Sequence, residues 1–89
     1  MKIDKFEWDK NNIWKPQKHN IDPIEVEEIF FNNPKYVYKS HSDRNALMGK
    51  TDSGRYLIAF FELKNNIARI ITARELTKSE LRLFKKRGK

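Results

Sequence analysis

The 89 residues include no cysteine and carry 19 Lys and Arg against 12 Asp and Glu, for a net charge of +7. A chain this short folds around one hydrophobic core, burying a little over ~60% of the surface of its unfolded form, and it can build neither a disulfide framework nor a thiolate metal site. No apolar stretch reaches the ~20 residues that span a bilayer, and Met1 to Trp8 alternates charged with apolar residues where a signal peptide is continuously apolar. The expectation is one soluble, cytoplasmic domain over residues 1–89, not associated with a membrane.

Ile3 to Phe6 reads as a short edge strand, and Asp9 to Lys18 as a first helix bent or ended by Pro16. On such a helix Trp8 and Trp14 point about 240° apart, so one is expected in the core and the other over an edge. Asp22-Pro23-Ile24-Glu25 is a helix start: Asp22 caps, Pro23 suits the first turn, and the Glu25 carboxylate reaches back. Ile21 staples onto Val26, and Val26, Ile29 and Phe30 make the apolar stripe, with Glu25, Glu27 and Glu28 turned to water. The helix ends near Asn32 and Asn33, before Pro34.

Tyr36-Val37-Tyr38, Ala46-Leu47-Met48, Tyr56 to Leu63 and Ile67 to Ala73 read as four strands. Asp52-Ser53-Gly54 and Lys64-Asn65-Asn66 are short enough for hairpins, so at least the last three strands form an antiparallel meander. Tyr56, Phe60 and Phe61 belong to the core in a run this apolar. Thr77-Lys78-Ser79-Glu80 is a second capping box, with Leu76 stapled onto Leu81, Phe84 on the stripe, and Lys85, Lys86 and Arg87 at the negative end of the helix dipole. The fold class is α+β: an antiparallel sheet of four to five strands on two or three helices.

Charge is sorted along the chain. Residues 1–43 hold 7 Lys and no Arg against 8 acids, a net of −1, whereas residues 44–89 hold 12 basic residues against 4 acids, a net of +8. All six arginines, Arg44, Arg55, Arg69, Arg74, Arg82 and Arg87, lie in the second part. A guanidinium presents a planar fork of donors that fits phosphate oxygens, so the sorting points to a phosphate-bearing partner. The plainer alternative is a basic surface that serves solubility. Arg69 sits within the fourth strand on the same side of the pleat as Ile67 and Ile71, and Arg74 follows at its end. One of the two alternatively holds a carboxylate such as Glu7, Asp9 or Glu62. His19 and His41 each stand alone in their neighbourhoods. Residue types and spacing by themselves reach a basic α+β domain that binds nucleic acid.

The order of the residues says more. Phe6-Glu7-Trp8-Asp9, Asn12, Lys18-His19 and the acidic helix Glu25 to Phe30 resemble the amino-terminal half of the BrnT family of bacterial toxins. Arg44, Met48-Gly49-Lys50-Thr51, Gly54-Arg55-Tyr56-Leu57, Arg69-Ile70-Ile71-Thr72-Ala73-Arg74 and Thr77-Lys78-Ser79-Glu80 resemble the remainder of that family's pattern. The chain departs from it at Lys15, where relatives carry histidine or asparagine, and at Asn20, where glycine is usual after Lys-His. The resemblance implies a RelE-like fold and metal-independent cleavage of RNA that halts translation. It also implies a BrnA-type antitoxin as partner, in a heterotetramer that binds operator DNA through the antitoxin.

In that chemistry the ribose 2′-hydroxyl attacks the adjacent phosphorus, which requires proton transfer and cations for the equatorial oxygens. With the resemblance, cationic roles fall to Arg44, Arg69 and Arg74 and proton transfer to His19 or Glu7. Lys18, Arg55 and Arg82 bind substrate, and neither metal nor cofactor is expected. Lys85, Lys86, Arg87 and Lys89, on a fraying terminus, only concentrate RNA. A non-catalytic RNA-binding or regulatory module of the same fold is the alternative.

Overall fold

A computed structural model describes residues 1–41 and 44–88; Lys89 therefore lies outside the described residues. The elements are β1 (Lys5–Glu7), α1 (Trp14–Lys18), α2 (Pro23–Phe31), β2 (Lys35–Lys39), β3 (Asn45–Lys50), β4 (Tyr56–Lys64), β5 (Ile67–Glu75) and α3 (Lys78–Arg87). They form the expected α+β arrangement, with one five-stranded sheet in the order β1-β5-β4-β3-β2. Strands β2 to β5 are an antiparallel meander. The sheet is not wholly antiparallel, however, because β1 pairs parallel with β5, Glu7 opposite Arg69. No hairpin links these two strands, so no turn dictates their relative direction. The β4–β5 turn is a two-residue loop in which Asn65 and Asn66 both have positive φ, 52° and 63°, as a type I′ turn requires.

Helix α2 forms as its sequence dictates. The Glu25 carboxylate accepts the Asp22 N–H at 3.1 Å, and Val26, Ile29 and Phe30 are buried against Leu47, Leu57, Ala59, Phe61, Ala68, Ile70 and Ala73. Phe30 sits edge-on to Phe6 and Phe61, with ring centroids 5.0 and 4.9 Å away. Gly49 lets α2 approach β3: a Cβ there would lie 2.9 Å from both the Cβ and the carbonyl oxygen of Ile29. The acidic residues of α2 do not simply face water. Glu25, Glu27 and Glu28 are half-buried, and they accept from Arg55, from the Trp8 indole at 2.8 Å and from the Asp52 N–H at 3.1 Å.

Helix α3 covers part of the other face. Thr77 and Glu80 exchange the two capping hydrogen bonds at 2.8 and 3.2 Å, and Phe84 packs with Ala46, Met48 and Ile58.

The first helix is shorter than expected. Asp9 to Ile13 is not helical, and α1 keeps only Trp14–Lys18, with buried Pro16 in its first turn, where its lost N–H has no intrahelical acceptor. Asn12 explains the interruption. Buried to 2% exposure, it donates from Nδ2 to the carbonyls of Glu7 (2.9 Å) and Ile70 (2.8 Å) and accepts the Asp9 N–H at 2.7 Å. It thus ties the end of β1 to the free edge of β5, which a continuing helix could not do. The two tryptophans consequently do not share a helix: Trp8 packs against the core, and Trp14 is 49% exposed. No helix among the described residues is long and apolar enough to cross a membrane.

Candidate nucleic-acid interface

A bulge in β5 decides which side chains share a face. Phe60 pairs with Thr72 and Phe61 with Ile70, so Ile71 is an extra residue. Arg69 and Arg74 are five positions apart and would point to opposite faces of a regular strand. With the bulge they lie opposite Glu62 and Ile58, which with Phe60 alternate along one face of β4. Arg69, Thr72 and Arg74 therefore share the face that α3 partly covers, while Ala68, Ile70 and Ala73 enter the core. Ile71, placed beside Arg69 by simple alternation, is instead the bulged residue.

Next to the bulge lies an open cleft of about 320 Å³, lined by Trp14, Lys15, Lys18, His19, Arg44, Ile71 and Thr72. Helix spacing puts four of these together, since positions 14 and 18, and 15 and 19, are each one turn apart. Arg44 comes from the far side of the β2–β3 connection and is fixed by backbone bonds, Ser40 N–H to the Arg44 carbonyl at 2.7 Å and Arg44 N–H to the His41 carbonyl at 3.2 Å. Among the described residues no carboxylate lies within ion-pair distance of Lys15, Lys18 or Arg44. His19, Lys18 and Arg44 of the expected site are thus brought together.

The other expected residues are not in the cleft. Arg69 donates to Asp9 at 2.6 Å and to Glu7 at 3.2 Å. Its bond to Asp9 raises the guanidinium pKa and holds the Asp9 carboxyl below its usual range. The hollow beside it is lined also by Glu62, so two carboxylates, Glu7 and Glu62, would face any phosphate there. Arg74 makes a two-pronged pair with Glu80, at 2.7 and 2.9 Å, and lies 5.8 Å from the Phe60 ring centroid. That pair, chiefly, lowers the Glu80 carboxyl to about 2 and raises the Arg74 guanidinium. Burial, with the Glu80 charge behind it, raises the nearby Tyr38 hydroxyl.

Arg55, expected to bind substrate, bridges Glu75 and Glu25 at 3.0 Å each and also reaches the Asn20 carbonyl at 3.0 Å. Its guanidinium pKa is raised, first by Glu75. Asn20 itself has φ 60°, the left-handed conformation that suits glycine and that asparagine tolerates. Arg82 is exposed on α3.

Trp14, Lys15 and Thr72 were not among the expected site residues. The one-turn spacing of Trp14 with Lys18 and of Lys15 with His19 is the signal that finds the first two. Thr72 reaches the cleft only through the bulge, which nothing local in the sequence marks.

No curated protein matches the chain. The family model for the ribonuclease toxin BrnT of type II toxin–antitoxin systems matches residues 8–80. That span runs from the residue after Glu7 through the cleft and the bulged strand to the Glu80 cap. With most of its length matched, the chain belongs to the BrnT family of ribonuclease toxins, a class that acts on RNA and is held in check by an antitoxin.

Proposed function

We propose that the protein is an endoribonuclease that cuts RNA without a metal ion, in the cytoplasm, and so inhibits translation. The observation that carries the reading is the cleft, where His19 stands among Lys15, Lys18 and Arg44. His19 takes the proton of the 2′-hydroxyl as that oxygen attacks the adjacent phosphorus. Lys18 and Arg44 stabilise the charge that builds on the equatorial oxygens, and the bond to the 5′-oxygen breaks, leaving a 2′,3′-cyclic phosphate and a 5′-hydroxyl as that oxygen takes a proton from water. Each such group contributes on the order of 10²–10³-fold in comparable sites. DNA lacks the hydroxyl that the step consumes.

Glu7, Arg69 and Arg74 are proposed as the flank of the site. The two arginines are neutralised by their carboxylates, so they orient the strand and its ligand more than they add charge. Arg55 and Arg82 are proposed to bind substrate outside the cleft, Arg82 from its exposed place on α3 and Arg55 only by giving up its bonds to Glu25 and Glu75. The proposed inhibitor is a BrnA-type antitoxin, in a heterotetramer that binds operator DNA through the antitoxin.

The test is incubation of the folded chain with RNA, and with DNA of the same sequence, in EDTA. RNA is expected to be cut and DNA left whole. RNA that stays whole at high protein concentration overturns the proposal and favours a binding module, the reading to which the carboxylate-bound Arg69 and Arg74 lend weight.

A further inference from the structure

Trp14 is 49% exposed, lines the same cleft as Lys15, Lys18, His19 and Arg44, and stands on a rigid base. Its helix is anchored by buried Pro16, whose carbonyl accepts from the His19 and Ile21 N–H groups at 2.9 and 3.0 Å. Asn12, two residues earlier, bridges β1 and β5. A single exposed apolar residue needs no explanation. A large aromatic held in place at the rim of a cationic cleft does, because cations that grip a phosphate bring its base within reach of a ring, and stacking on an indole suits any base.

We infer that Trp14 is a stacking platform for an unpaired nucleobase, so that the cleft takes single-stranded RNA. The inference rests on the proposed reading of the cleft as the RNA site. A base inside a duplex already has both faces covered and cannot lie on the indole. Lys15, adjacent on the helix and half-buried, holds the phosphate beside the stacked base.

The test uses a dye-labelled oligoribonucleotide with 2′-O-methyl sugars, which cannot be cut, as a single strand and as a duplex. Affinity is read by anisotropy across a range of salt. Trp14→Leu is expected to weaken single-strand binding by ~10-fold without changing its salt dependence, and Trp14→Phe to recover part of the loss. Lys15→Ala should reduce the salt dependence instead. Duplex affinity should be indifferent to position 14. In a Trp8→Phe chain, the fluorescence of Trp14 should be quenched by the single strand and not by the duplex; the anisotropy series stands alone if that variant does not fold. Single-strand affinity of Trp14→Leu within twofold of the native chain overturns the inference, as does an equal loss for the duplex. Cleavage of unmodified RNA, measured in parallel, reports on the parent reading separately. A native chain that binds as described without cutting refutes the nuclease and leaves the platform standing.

Discussion

Two sets of cations on this small domain do opposite things. Arg55, Arg69 and Arg74 are clasps, each closed on one or two carboxylates at 2.6 to 3.2 Å. Lys15, Lys18 and Arg44 line a cleft, with no carboxylate in ion-pair reach among the described residues. Much of the charge sorting along the chain is consumed internally, since Arg55 and Arg69 from the basic half hold Glu25, Glu7 and Asp9 from the acidic half. The number of arginines therefore overstates what is left for phosphate. A neutralised guanidinium ties elements together, whereas an open one can exchange water for a ligand.

The sharpest division between the two sets is in activity. His19→Ala and Arg44→Ala should each reduce the cleavage rate at saturating RNA by ~10²-fold or more. Both residues are exposed, so melting temperature should hold within a few degrees, as surface changes are typically worth no more than ~0.5 kcal/mol. A melt that collapses with the rate would dissolve the distinction. Gly49→Ala is the control of opposite kind. Overpacking Ile29 should cost about 1–3 kcal/mol and lower the melt by roughly 4–8 °C per kcal/mol, with the rate per folded molecule unchanged.

Arg74 is where the comparison can break, because its contacts make it a clasp while the bulge puts it on the same face as Thr72, which lines the cleft. Arg74→Lys keeps the charge and loses the fork. The expected result is a stability loss of about 1 kcal/mol, reduced from the pKa shift by solvent screening, and a cleavage rate within ~10-fold of native. A larger rate loss with an unchanged melt would move Arg74 into the reacting centre. The same pair predicts an acid limb. The folded-state pKa of Glu80, about 2, lies below the usual 4.5, so its contribution is complete above the unfolded value and is lost as pH falls from about 4.5 toward 2. Glu80→Gln should flatten that part of a melting-versus-pH curve. The smallest effect concerns the inhibitor: if an antitoxin covers the open cations, its association rate should fall as salt rises. A rate indifferent to salt, or a complex seated only on the acidic helix, would count against that.

Local chemistry made much of the fold readable in the chain. The capping boxes at Asp22 and Thr77, the stripe of Val26, Ile29 and Phe30, and the Asn65-Asn66 turn act over a few residues, and all are present. Asp9 to Lys18 reads locally as one helix, but its deciding contact, Asn12 with the Ile70 carbonyl, joins residues 58 apart. The acidic face of α2 likewise reads as solvated, yet the partners of Glu25, Glu27 and Glu28 come from distant parts of the chain.

The sequence by itself determined that this is a basic α+β domain, its element types and turns, and the order of residues by which its family is recognised, because helix periodicity, capping and turn chemistry are local. Only the tertiary structure decided the parallel pairing of β1, the bulge that brings Arg69, Thr72 and Arg74 to one face, and which cations are spent on carboxylates. Each depends on what lies opposite a residue across the sheet, and an ion pair closes on whichever charge the fold brings within about 4 Å, wherever in the chain that charge began.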